Sequence, residues 1–172
     1  MKETVQLSDY AGLIQTALPK GILLNTNGEK FNSMVIGWGH LGVIWGEPTF
    51  VAYVRESRYT KAQIDKTGEF TISVPLDGPD AKIAKVCGVQ SGRDIDKVKE
   101  AGLTLEDPEE NQTPGIREYP LTLECKVLYS QRQDLSAIPD DIRTRYYPQG
   151  ADGVPDLHTA YIARILRAYI IR

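Results

Sequence analysis

Three strand-like segments fall within the first 55 residues, with no helix-length connection between them. Gly21 to Thr26 reads as the first, and Asn27-Gly28, the strongest short hairpin signal, turns the chain. The second runs from about Lys30 through Met34-Val35-Ile36. The third, Pro48 to Arg55, is mostly apolar and so is expected to be covered on both faces. A parallel pair needs a crossover of about a dozen residues, so this order predicts antiparallel pairing. Later segments agree. Glu69 to Val74 alternates, with Phe70, Ile72 and Val74 on one side and Thr71 and Ser73 on the other. Leu121 to Tyr129 alternates too, placing Leu121, Leu123, Cys125, Val127 and Tyr129 inward, and Thr159 to Ile171 is the last strand. The expected fold is mainly β: antiparallel strands closed into a barrel whose ends are plugged or flanked by short helices.

The helices carry start and stop signals. Ser8-Asp9 caps a short helix that ends before Pro19. Thr60 and Gln63 fit a capping box for a helix to Lys66, with Tyr59 and Ile64 as a hydrophobic staple. Pro79-Asp80 opens a helix to about Cys87, and Asp94 caps another that stops at Gly102. The stretch containing Asp140-Asp141 and Tyr146-Tyr147-Pro148 reads as a polar connection. The 172 residues show no repeat, low-complexity tract or long linker, which predicts one domain over residues 1–172.

Composition removes several function classes. Twenty basic against 23 acidic side chains leave a net charge of −3, without the cationic surplus that nucleic-acid binding needs. Cys87 and Cys125, the only cysteines, are too few for a disulfide scaffold and form no C-x-x-C motif. His40 and His158 stand alone, with no carboxylates spaced for a metal site. No apolar run is long enough to span a membrane, and Met1-Lys2-Glu3-Thr4 lacks a signal-peptide core, so a cytoplasmic protein is expected.

Gly37-Trp38-Gly39-His40-Leu41-Gly42 matches G-x-G-x-x-G after a strand. The dinucleotide fingerprint requires a helix to begin there, but Val43-Ile44-Trp45-Gly46-Glu47-Pro48 leaves room for one turn at most. The glycines around Trp38 and Trp45 serve either a close backbone approach to a flat ligand or a tight barrel corner with two core tryptophans.

Two segments are suited to an anion. Arg55-Glu56-Ser57-Arg58-Tyr59-Thr60 sets two guanidinium groups and two hydroxyls before a helix, whose N-terminus presents unpaired N–H groups. Ser91-Gly92-Arg93-Asp94-Ile95-Asp96-Lys97 does the same at a second helix start. If they converge, Arg58, Arg93 and Lys97 meet one phosphate; if not, each is a solvated loop serving its own cap.

The run Asn32-Ser33-Met34-Val35-Ile36-Gly37-Trp38-Gly39, then Gly42 to Pro48, then Val54-Arg55 with Ser57-Arg58-Tyr59-Thr60, resembles the flavin reductase-like family, flavoredoxin type. Ser91-Gly92-Arg93-Asp94, Leu123-Glu124-Cys125, Tyr146-Tyr147-Pro148 and His158 with Tyr161-Ile162 extend the likeness over about residues 20 to 170. The resemblance implies an FMN-binding split β-barrel and a homodimer with FMN near the subunit interface. It also implies hydride transfer from NADH or NADPH, for which the flavin ring itself supplies the chemistry. Asn32, Ser33 and Met34 would line the isoalloxazine or ribityl side, with Trp38 near the ring. Arg55, Ser57, Arg58, Tyr59 and Thr60 would serve the phosphate end, joined by Ser91, Gly92, Arg93 and Lys97. His158 would border the nicotinamide as the catalytic candidate. Four positions depart from the family pattern: Ser33 for threonine, Val35 for a polar residue, and Ala163 and Arg164 where glycine and glutamate usually follow the histidine. The expected activity is thus NAD(P)H-dependent flavin reduction. The alternatives are an electron carrier whose FMN another redox protein reduces, and a flavin-free split barrel that binds another small ligand.

Overall fold

Every strand pair in this chain is antiparallel. The computed structural model describes residues 1–172. In chain order the elements are β1 (Lys2–Thr4), α1 (Leu7–Ala17), β2 (Ile22–Asn27), β3 (Phe31–Ile36), β4 (Gly39–Ile44), β5 (Glu47–Arg55), α2 (Tyr59–Thr67) and β6 (Glu69–Val74). They continue with α3 (Ala81–Val89), α4 (Lys97–Ala101), β7 (Leu105–Glu106), β8 (Gly115–Ile116), β9 (Leu121–Arg132), α5 (Asp140–Tyr146) and β10 (His158–Ile171). The main sheet runs β3-β2-β6-β9-β10-β5-β4, with β1 on β10, while β7 and β8 form a separate small ladder.

One apolar cluster draws side chains from β2, β3, β5, β6, β9 and β10, so the sheet curls around it; Leu24, Phe50, Phe70, Leu123 and Ala163 are all at 0% exposure. No ladder joins the sheet's two ends, β3 and β4, which makes the barrel a split one. A second cluster fills the space between the outer side of β2 and α3–α4, built on Leu23, Ile83, Val86, Cys87 and Leu103. Along β3, Met34 and Ile36 therefore enter the barrel while Phe31 and Val35 pack against the helices. No helix is long and apolar enough to cross a membrane.

Several expected details differ. Asn27 pairs with Phe31, so three residues connect the first hairpin, and Gly28 is pinned by its N–H to Gln63 Oε1 at 2.8 Å. The residue before α2 is Arg58 and no side chain caps that helix; Thr60 lies inside it, accepting from Asn32 Nδ2 at 2.8 Å. The capping box gives way to these two tertiary bonds. Asp96, not Asp94, caps α4, and α1 begins at Leu7, ahead of Ser8 and without a side-chain cap. Tyr129 is 47% exposed because the β9–β10 register shifts there, reversing the alternation that Leu121 to Cys125 follow. The glycine-rich run forms β4, and its turn to β5 uses left-handed φ at Trp45 (54°) and Gly46 (75°). Trp45 is 64% exposed and Trp38 39%, so neither is a core residue. Part of the polar connection folds as α5.

Glu124, fully buried on β9, anchors the loop before β8. Its carboxylate accepts N–H bonds from Glu109 (2.8 Å), Glu110 (2.7 Å) and Asn111 (3.0 Å). Glu124→Gln keeps the shape but removes the charge and aims amide protons at those donors. Chemical denaturation is expected to show a loss of about 2–3 kcal/mol, the scale of hydrogen bonds to charged groups.

Candidate functional site

The chemistry-bearing residues gather beside the split, where β3 faces the end of β5. A cleft of about 180 Å³ opens between the end of β5, the start of α2 and the α3–α4 connection. It is lined by Asn32, Met34, Ser57, Arg58, Tyr59, Thr60, Ser91, Gly92, Arg93 and Lys97, with Val89 and Gln90 completing the wall. A second cleft of about 150 Å³ continues along the seam, lined by Met34, Trp38, Tyr53, Arg55, Arg58 and His158 together with Val35, Ile36 and Gly37. Met34 and Arg58 belong to both, so the two form one trough with a cationic end and an aromatic end.

The cationic end contains Arg58, Arg93 and Lys97, and none of its 12 lining residues is acidic. These cations are held differently. Lys97 is 4% exposed and donates from Nζ to the carbonyls of Ser33 (2.8 Å) and Cys87 (3.1 Å). Burial pushes its pKa down to about 8; neighbouring Cys87 opposes the shift and Arg58 adds to it. Arg93 donates to the Ser57 carbonyl at 3.2 Å and sits 5.2 Å from the Tyr59 ring centroid. Arg58 makes no ion pair within the protein, which leaves its donors for a ligand. The first turn of α2 contributes N–H groups that no side chain caps.

Two features set the shape of this wall. Asn32 is 1% exposed, yet its Oδ1 has no hydrogen-bond partner. A Cβ on Gly92 would lie 2.0 Å from that oxygen, so only glycine lets the Ser91–Arg93 backbone come so close. Ser33 is the exception among the expected residues. Its side chain alternates away from Asn32 and Met34 to the α3–α4 side, and it reaches the site only through the carbonyl that holds Lys97. Ser91 Oγ accepts the Arg93 N–H at 3.2 Å and so shapes the loop.

At the aromatic end, His158 is 6% exposed and packs against Trp38, with ring centroids 4.7 Å apart and planes tilted by 36°. Trp38 in turn meets Tyr146 edge-on at 5.1 Å. Burial pushes the His158 pKa down to about 4; the Arg55 guanidinium adds to this, Asp156 opposes it, and Arg58 adds again. Arg55 spends its donors on the carbonyls of Asp156 (2.7 Å) and Tyr146 (3.2 Å), fastening the segment that covers this end. Asp156 also accepts from Ser57 N (3.0 Å) and Oγ (2.7 Å), which occupies that hydroxyl's proton. Asp156, Tyr147 and Gln133 were not legible as site residues, because they lie in an irregular segment without periodicity. Arg164 pairs across the outer sheet face with Glu47 at 3.1 Å and does not enter the trough. No cluster of three metal-ligating side chains exists.

Residues 16–172 match the family model described as "Flavin reductase like domain". Solved structures similar to the chain include an FMN-binding domain of a flavin reductases-like enzyme from Shewanella baltica. That pair has a TM-score of 0.67 at 19% identity, over 99% of this chain and 77% of the other. A flavoredoxin from Methanosarcina acetivorans gives a TM-score of 0.65 at 25% identity, over 88% of this chain and 68% of that one. Flavoredoxin of Desulfovibrio vulgaris gives 0.66 at 22% identity, over 88% and 69%.

Lys97 would make the binding of an anion at this end pH-dependent. The ammonium form, populated below about pH 8, attracts a phosphate, and the neutral amine formed above it does not. A phosphate monoester is dianionic above its second pKa of about 6. Affinity for a phosphate-bearing ligand is therefore expected to peak between those values. Above pH 8 it falls by up to about tenfold per pH unit, the limit for one linked proton. Isothermal titration across pH 6 to 10 reads this directly, and Lys97→Met is expected to flatten the curve.

Proposed function

The chain belongs to the flavin reductase-like family, and from that premise we propose that FMN binds along the trough and receives hydride from NADH or NADPH. The observation that carries this reading is the trough's division into a carboxylate-free cationic end and an aromatic end, joined at Met34 and Arg58. The residues present fit the cofactor. Arg58, Arg93, Lys97 and the first turn of α2 suit a phosphate, the orphaned Asn32 Oδ1 suits a ribityl hydroxyl, and Met34 and Trp38 suit a flat ring.

When bound, FMN supplies the electron-accepting ring, so the protein's work is binding and orientation. Arg58 holds the junction between the two ends. Arg93 and Ser91 keep the Gly92 backbone against Asn32, and Lys97 stiffens β3 against α3 through its two carbonyl bonds. Trp38, Tyr146 and Tyr147 keep water from the side where a nicotinamide would approach. We take residues 1–172 as one flavin-binding domain that works as a homodimer. Tyr129, Tyr53 and Ile162 lie on the outer face of β9, β5 and β10, which a second copy would cover. Sedimentation at the mass of one chain would remove the dimer from this reading.

Solved flavoredoxins among the similar structures favour a second reading, in which bound FMN accepts electrons from another redox protein. Adding NADH or NADPH anaerobically to FMN-loaded protein separates the two. Bleaching of the flavin band is the expected result. A band that persists with both nucleotides but bleaches with a reduced ferredoxin-like protein selects the carrier. A protein that takes up no FMN removes both and leaves a flavin-free binding barrel.

The phosphate contacts have a size. Arg58→Ala and Arg93→Ala each remove a charge-assisted bond worth roughly 1.5–3 kcal/mol. In a fluorescence titration each is expected to raise the FMN Kd by about tenfold to a hundredfold. Unchanged Kd in both would place the phosphate elsewhere.

A further inference from the structure

We infer that Gln133 and Tyr147 are positioning residues: they fix His158 in one neutral tautomer, with its proton on Nδ1 and the Nε2 lone pair offered to an N–H donor of the bound molecule. The inference deepens the reading of the trough as a flavin and nicotinamide site, and it follows from three hydrogen bonds taken in order.

The backbone N–H of His158 lies 3.2 Å from Gln133 Oε1. A backbone amide can only donate, so the side-chain atom facing it is the carbonyl oxygen, which settles the orientation of the Gln133 amide. Tyr147 Oη lies 2.7 Å from the same oxygen. That oxygen carries no proton, so the phenol must donate its single hydrogen there. Tyr147 Oη is also 3.0 Å from His158 Nδ1, and with its own hydrogen committed it can only accept. Nδ1 must therefore carry a proton. A neutral imidazole has one N–H, so Nε2 is bare.

The surroundings keep the ring neutral and stationary. The charged groups facing it are the Arg55 and Arg58 guanidiniums and the Asp156 carboxylate, and with burial their net effect holds the pKa at about 4. Trp38 covers one side of the ring and Tyr147 meets it edge-on at 5.7 Å. His158 lines the aromatic cleft beside Met34 and Tyr53. Such a nitrogen selects a ligand edge that donates, as a primary amide or a cyclic imide does. It rejects one that presents only acceptors, since two lone pairs would then face each other without water. His158 is then a specificity and orientation group rather than a proton donor at neutral pH.

The test is long-range proton–nitrogen NMR of the nitrogen-15-labelled full chain between pH 5 and 9, first without FMN. His40 is the only other histidine, and His40→Gln assigns the signals. The expected His158 pattern is Nδ1–H throughout, with no titration in that range. Tyr147→Phe removes the acceptor and is expected to populate Nε2–H. Gln133→Glu keeps an acceptor and is expected to preserve Nδ1–H. Gln133→Leu, which frees the phenol proton, gives mixed tautomers and replaces Tyr147→Phe should that variant fail to fold. An Nε2–H ring in the unsubstituted protein, titration between pH 6 and 7, or a pattern unmoved by both Tyr147→Phe and Gln133→Leu overturns the tautomer. Because this first stage needs no flavin, it succeeds or fails independently of the proposed FMN site.

The ligand half is read from the Nε2 resonance. FMN or nicotinamide, each bearing an N–H donor, is expected to shift it. 3-Methyl-FMN and N,N-dimethylnicotinamide lack that donor and are expected to leave it in place. A resonance that no donor-bearing probe moves overturns the ligand assignment.

Discussion

A sheet that curls around a core without closing leaves a seam, and everything functional in this protein depends on how that seam is spanned. Strand β3 ends at Ile36, and only Gly37 and Trp38 cross before the chain returns as β4 on the far side of β5. The crossing is tight. A Cβ on Gly39 would stand 2.6 Å from the Val51 carbonyl oxygen, so glycine is required for β4 to lie so close to β5. With the sheet's two ends joined by a short crossing and no ladder, the cleft between Met34 on one side and Tyr53 on the other stays open. The apolar cluster closes beneath it, so the trough is a surface feature on a rigid floor.

The cations around the trough do different work, and their hydrogen bonds show which. Arg55 is committed to two carbonyls of the covering segment, and Arg93 to the Ser57 carbonyl. Lys97 braces Ser33 and Cys87, leaving one ammonium proton for the cleft. Arg58 alone keeps its whole guanidinium for a ligand. A site in which most charges are already positioned by backbone acceptors loses little side-chain entropy on binding, which favours retention of an anion.

Much of this was legible in the sequence because it follows from periodicity and punctuation. The alternation at Phe70-Ile72-Val74, the apolar run at Phe50 to Val54 and the glycine after Ala101 each mapped onto an observed element. The two anion-suited segments line one cleft, one of the two arrangements that their residue types left open. What failed was local capping logic at Thr60 and Asp94. Thr60 and Gln63 are claimed by Asn32 and Gly28, residues about 30 positions away in the chain, and no local pattern announces such a competitor. Strand β4 was hidden by its glycines, and Tyr129 by a bulge that reverses the alternation within a single strand. The Gln133, Tyr147 and Asp156 contacts arise from tertiary closure of an irregular segment, where residue type alone says little.

The two ends of the trough also differ in a way that fixes orientation. The chain carries a net charge of −3, but charges beyond about 8 Å are screened at physiological ionic strength, so the local cations govern a phosphate's choice. The aromatic end holds Arg55 and His158 and shares Arg58 with the other end. It is the weaker cationic end: two of Arg55's donors are held by carbonyls of the covering segment, and burial pushes the His158 pKa down to about 4. An anionic tail would therefore meet the larger group of cations, Arg58, Arg93 and Lys97, at the first end, with its ring toward the end where Trp38 and His158 pack. Polarity along one groove would thus bias which way round a ligand lies before any ring-specific contact is made.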